Sequence, residues 1–248
     1  MDVALGLFAF WPALALGSFL NVVAARVPLR RSVVRPASAC MSCGTELAWR
    51  DNVPVLTWLW LRGRCRTCGE RISAVYPFVE LATAALVAGC FVKFGLSGEA
   101  FLASFFCIVL VVLSAIDLEH RIVPNRIVVP AAAIVLVAQT ALNPSPEWTL
   151  GALGASGFLF LAALAYPAGM GMGDVKLALL LGAMLGRLVG VGLMLGMLAA
   201  LVPSVYLLAR HGSAARKMGI PFAPFLALGA LIALFAGQTL LDAYLSHF

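Results

Sequence analysis

The strongest constraint on this chain is a series of apolar stretches, each near the length of a membrane span and almost free of charge. They fall near 3–25, 76–94, 99–117, 126–142, 149–167, 174–187, 190–209 and 222–242. A bilayer's hydrocarbon core is roughly 30 Å thick, so a helix needs about 20 apolar residues to cross it. Backbone polar groups find no partner in lipid, so such stretches must be helical. The chain therefore reads as an all-α polytopic membrane protein with about eight transmembrane helices. The sixth stretch is short and runs almost directly into the seventh, so seven spans is the alternative. Composition agrees: 62% of the 248 residues are hydrophobic and 11% charged, against about 25% charged in soluble domains. A soluble globule is excluded, as are disordered, collagen-like and coiled-coil classes.

Loop charges set the orientation. Segment 26–75 holds nine arginines: Arg26, Arg30, Arg31, Arg35, Arg50, Arg62, Arg64, Arg66 and Arg71. Arg121, Arg126, Lys176, Arg210, Arg216 and Lys217 fall in the other loops of the same alternating set, while Lys93 and Arg187 alone occupy the opposite set. Fifteen against two is a strong positive-inside signal, which assigns the first set to the cytoplasm and both termini to the other side. The net charge of +6 is thus a topology signal, and nucleic acid is not expected as a partner. The first span has no basic segment before it and its arginines follow it, so it is expected to stay as an anchor. Three segments result: a first transmembrane helix at 1–25, a cytoplasmic insert at 26–75 and a transmembrane helical core at 76–248.

The insert contains Cys40-Met41-Ser42-Cys43 and Cys65-Arg66-Thr67-Cys68. The two pairs are separated by 21 residues, one more than the usual zinc-ribbon spacing. Each pair puts two thiolates on one knuckle, and four converging thiolates suit tetrahedral Zn²⁺. Gly44 and Gly69 follow the second cysteine of each pair, where a knuckle turn favours glycine. Disulfides are the competing reading, disfavoured in a reducing cytoplasm. With four protein ligands the site is structural, and the metal is expected to hold the insert folded. Cys90 and Cys107 lie inside spans and read as packing residues.

Most acidic residues sit in loops or at span ends, but Glu80, Asp117 and Asp174 lie at or within the hydrocarbon boundary. Carboxylates there are costly and are functional candidates by default. The span count brings Asp117, ending the third span, and Asp174, opening the sixth, to the same cytoplasmic membrane level. Glycines at 169, 171 and 173 precede Asp174; they disfavour helix and let another backbone approach. Two close aspartates cannot both ionise easily and share a proton. One then serves as general base towards water while the protonated one polarises a carbonyl, which is aspartyl-protease chemistry. Taken alone, each aspartate also reads as a helix cap or ion pair: Asp174 with Lys176, Asp117 with His120 or Arg121. An ion- or proton-coupled transporter with a zinc-folded regulatory loop uses similar carboxylates, but no inverted repeat is visible and both aspartates sit at one face.

Gly171-Met172-Gly173-Asp174-Val175-Lys176-Leu177, with Asp117 in Ile116-Asp117-Leu118-Glu119-His120-Arg121, resembles the type IV prepilin peptidases, membrane aspartyl proteases of the GxGD type. Further strings match in the same order: Gly17-Ser18-Phe19-Leu20-Asn21 with Arg26, the four cysteines, Asp51-Asn52-Val53-Pro54, Tyr76-Pro77-Phe78-Val79-Glu80 and Pro221-Phe222-Ala223-Pro224. Asn125 stands where the family often has aspartate, Ala223 where glycine is frequent, and no proline follows Cys40. The resemblance implies that Asp117 and Asp174 are the catalytic pair. It implies cleavage of the basic leader from type IV prepilins or pseudopilins at the cytoplasmic face of a bacterial inner membrane. It further implies N-methylation of the new N-terminus with S-adenosylmethionine as co-substrate, although no methyl-donor motif is legible: no strand precedes the glycine run, so it is not a dinucleotide fingerprint. Glu80 reads as attracting the leader or as a structural partner, and Asn21 as a polar contact between spans.

Overall fold

A computed structural model of the chain describes residues 2–166, 171–212 and 219–246. Gly169 and Met170 of the glycine run, Pro167 at the end of the fifth stretch, and Arg216 and Lys217 of the last basic loop lie outside the described residues. The described residues are helical: α1 (Asp2–Arg26), α2 (Leu56–Trp60), α3 (Val75–Phe94), α4 (Gly98–His120), α5 (Asn125–Leu142), α6 (Glu147–Ala165), α7 (Met172–Leu185), α8 (Val189–His211) and α9 (Ala223–Leu245), with short 3₁₀ turns at Trp49–Asn52 and Gly186–Leu188. Extended pairing among them is limited to two isolated bridges in the insert. The chain divides into two compact units, Met1–Ala115 and Ile116–Phe248, with the division falling inside α4.

In the first unit α1 and α3 pack antiparallel. The Asn21 side chain donates to the Tyr76 carbonyl at 3.2 Å, and a Cβ on Gly17 would meet the Glu80 Cα at 2.6 Å. Small residues thus let the two backbones approach, the usual basis of helix association in lipid. Ala84, Cys90, Phe106 and Cys107 are fully buried.

Among the described residues, seven helical stretches are long and apolar enough to cross a membrane, with Met172–His211 counted as one stretch of 40 residues. The protein is therefore a multi-pass membrane protein. That longest stretch is folded back on itself. α7 stops at Gly186, whose φ of +53° suits a residue without a Cβ and whose amide donates to the Gly182 carbonyl. α7 runs parallel to α5, since Lys176 contacts Asn125 near their starts and Gln139 contacts Met184 near their ends. α8 runs antiparallel to α9: Gly196 abuts Leu226, Gly192 abuts Ala230, and Leu188 reaches Gly237. At 14 residues α7 is roughly 21 Å long, too short to count as a span by length, although it packs in parallel along α5.

Candidate active site and metal centre

Two groups of residues carry chemistry, one in each unit. In the second unit, α4 delivers Asp117 three residues before its end, 5% exposed. Its Oδ2 accepts the Ala223 amide at 2.9 Å, at the first turn of α9. The positive end of the α9 dipole thus faces this carboxyl, an arrangement suited to negative charge. α4 terminates immediately afterwards at Arg121, whose φ is +55° and whose amide donates to the Asp117 carbonyl at 2.9 Å.

α7 delivers Asp174 in its first turn, where the Asp174 amide donates to the Gly171 carbonyl at 3.1 Å. Two contacts fix this end of α7. Gly173 packs on Val123, so tightly that a Cβ on Gly173 would lie 2.9 Å from the Val123 Cβ. Lys176 Nζ donates to Asn125 Oδ1 at 2.8 Å. The four residues from Arg121 to Pro124 therefore tie the end of α4 to the starts of α5 and α7. The structure brings Asp117 and Asp174 to one end of this unit, the end at which α9 begins. The possible partner of Asp174, Lys176, is instead engaged by Asn125. The Arg121 guanidinium does lie within charge range of Asp117. The Ala223 amide is a partner of Asp117 that sequence alone does not reveal; it follows the Pro221-Phe222 pair ahead of the last span.

The second group is the cysteine cluster. The Sγ atoms of Cys40, Cys43, Cys65 and Cys68 all lie within 4.8 Å of one another. The two knuckles share one local design. The Gly44 amide donates to the Cys40 carbonyl at 2.9 Å and the Gly69 amide to the Cys65 carbonyl at 3.0 Å. Gly44 and Gly69 have φ of +69° and +72°, the left-handed conformation that glycine takes without strain. Isolated bridges, Ala39 with Glu46 and Arg64 with Arg71, close each loop. Metal–sulfur bonds of about 2.3 Å in a tetrahedron place sulfurs about 3.8 Å apart, and Cys40 and Cys68 stand at 3.8 Å. The residues present fit a four-thiolate metal site. The thiols are unequal: the hydroxyl and amide of Thr45 lower Cys43 to about 6. For Cys68 the Glu70 amide favours the thiolate, but desolvation and the three neighbouring sulfurs push it up to about 12.

Glu80, buried at 7% exposure, is a structural partner: its Oε2 accepts the Val55 amide at 2.7 Å. Cys90 and Cys107 pack together with their sulfurs 3.7 Å apart and fully buried.

Family models match almost the whole of this architecture. The model for the bacterial peptidase A24 N-terminal domain covers residues 12–94, and that for the type IV leader peptidase family covers residues 104–237. This chain belongs to the type IV leader peptidase family. It is 36% identical, over 96% of each chain, to a Bacillus subtilis protein named prepilin leader peptidase/N-methyltransferase. It is 43% identical to a Myxococcus xanthus protein of that name, over 82% of this chain and 63% of the relative. A Burkholderia pseudomallei protein with the same name is 34% identical over 93% of this chain and 85% of its own length. No solved structure matches. Both candidate groups fall inside the matched segments, the cysteines in the first and the two aspartates in the second.

Proposed function

We propose that this member of the family is a membrane aspartyl endopeptidase that removes the leader of type IV prepilins or pseudopilins, with Asp117 and Asp174 as its catalytic pair. One observation carries the reading: two carboxyls 57 positions apart in sequence are brought to one end of the second unit, Asp117 against the first turn of α9 and Asp174 in the first turn of α7, beside the Val123 that follows α4. The names of the relatives supply the substrate class.

The chemistry follows from the pair. One carboxylate takes a proton from water as the water attacks the scissile carbonyl, while the protonated carboxyl donates a hydrogen bond to the carbonyl oxygen. The proton then passes to the leaving amine. The Ala223 amide on Asp117 Oδ2 fixes the orientation of that carboxyl and favours its charge. A prepilin is an apolar helix behind a basic leader, so it presents its scissile bond at the membrane boundary. The lysine and arginine distribution puts that boundary, the cysteine insert and the aspartates on the cytoplasmic side.

Zn²⁺ is the metal we assign to Cys40, Cys43, Cys65 and Cys68; it would staple the insert and take no part in the hydrolysis. N-methylation with S-adenosylmethionine is the second activity we propose, on the relatives' shared name. The test is incubation of the purified protein with a prepilin, with and without S-adenosylmethionine, read by intact mass. Loss of the leader supports the peptidase, and a further gain of one methyl group supports the second activity. An unchanged prepilin mass refutes the proposal.

A further inference from the structure

The insert between α1 and α3 is rich in arginine at both ends, yet its middle is not polar. Asn52 to Leu61 carries no charge. It is bracketed by Asp51, ion-paired with Arg66 at 2.8 Å, and by Arg62. An uncharged run of about ten residues is too short to cross a bilayer but long enough to enter one and return.

Three contacts within the first unit say where this run sits. Val55 packs against the buried cluster of Ala13, Leu14, Ala84, Val87, Phe91 and Ala100. Ala84 lies nine residues beyond the start of α3, roughly 13 Å along its axis, and Ala13 lies midway along α1. A groove just before Val55 has Ser18, Phe19 and Val22 of α1 facing Ser38, Asn52 and Pro54 of the insert. The Val55 amide itself donates to Glu80, five residues into α3. The run therefore enters along the last third of α1 and reaches the level of Glu80 and the near edge of the buried cluster, within the first half of α3.

We propose that Asn52–Leu61 is a re-entrant membrane segment that turns at Val55, returns as α2, and lays Leu56 and Leu59 against lipid acyl chains. The occupant follows from continuity, because α1 and α3, which flank the segment at this depth, are themselves lipid-facing spans. Non-helical backbone at membrane depth persists only where its polar groups are satisfied within the protein, and the groups around the turn have such partners. Glu80 takes the Val55 amide; the Leu59 amide donates to the Val55 carbonyl at 2.9 Å. The Thr57 hydroxyl donates to the Arg50 carbonyl at 2.9 Å, and Trp58 Nε1 to the Ile72 carbonyl at 3.1 Å. Val55 has φ of +60° and ψ of −50°. A β-branched residue holds that strained conformation only where its surroundings over-determine it. Leu56, Leu59 and Trp60 are 57%, 58% and 84% exposed, a costly surface in water and a favourable one in hydrocarbon. Trp60, beside Arg62, occupies the headgroup boundary where tryptophan is enriched.

The test uses the full chain in phosphatidylcholine bilayers brominated on the acyl chains. Leu56→Trp adds a reporter at an exposed position beside the turn, and its emission is the difference between variant and wild type. The re-entrant segment requires acyl-chain bromine to remove at least half of that emission and aqueous iodide to leave it unchanged. Quenching by iodide with none by bromine overturns the proposal. Should the variant not fold, the Trp60 contribution, taken as wild type minus Trp60→Phe, is read the same way: quenching by bromine placed near the headgroup supports the segment, and quenching by iodide alone refutes it.

Discussion

Gly173→Ala tests whether close packing beside Asp174 sets the geometry of the proposed pair. A Cβ at this position would lie 2.9 Å from Val123 Cβ and 3.3 Å from Val123 Cγ2. Carbon atoms pack at about 3.5–4.0 Å, so either Val123 or the first turn of α7 must yield by about 0.6 Å. Overpacking of this kind costs about 1–3 kcal/mol, which a span held by α5, α6 and α9 can absorb without unfolding. Asp174 is the next residue and moves with the turn. Misplacing a reacting group by about 1 Å costs on the order of 100-fold in rate, so a displacement near 0.6 Å should lower kcat by roughly tenfold or more, with KM little changed. The assay is prepilin cleavage by the purified variant, with substrate concentration varied to separate kcat from KM. Val123→Gly removes both crowding carbons, Cβ and Cγ2, so the double variant should recover most of the lost rate. Full activity in Gly173→Ala, or no recovery in the double variant, would refute the packing argument.

Cys40→Ser or Cys65→Ser should lower zinc content well below one ion per chain and make residues 38–72 sensitive to protease; an unchanged stoichiometry would show that the four cysteines are not the site. Glu80→Ala should destabilise the protein by about 1–3 kcal/mol by leaving the Val55 amide unpaired at depth, whereas Glu80→Gln keeps an acceptor and should cost less; equal thermal unfolding of the two variants would contradict the structural role of Glu80. A pair of aspartates working with one shared proton loses activity once alkaline pH removes that proton, so cleavage measured against pH should decline on the alkaline side, and a flat profile there would contradict the shared proton.

Hydropathy alone located the membrane helices, because length and apolarity are properties of each segment. The pairing of segments was not legible in the same way. α7 packs along α5 with only 14 residues, and its separation from α8 depends on the left-handed Gly186, a local turn inside a continuous apolar run. Asp117 and Asp174 stood out because carboxylates at a lipid boundary are rare, and the cysteines because metal knuckles have fixed spacing. The Ala223 amide on Asp117 was hidden: any residue but proline offers such a donor, and this one comes from 106 positions away. Glu80 was ambiguous for a related reason, since its partner is the backbone of a strained Val55. The uncharged run at 52–61 was masked by nine arginines spread through the surrounding insert, so the segment averages as hydrophilic.

The most direct measurement is cleavage of a prepilin by Asp117→Asn and Asp174→Asn, each purified from membranes and compared with the wild type by intact mass. Asparagine keeps the size of the side chain and removes the ionisable group, so both variants should insert normally and leave the leader attached. Release of the leader at the wild-type rate by either variant would contradict the two-aspartate mechanism.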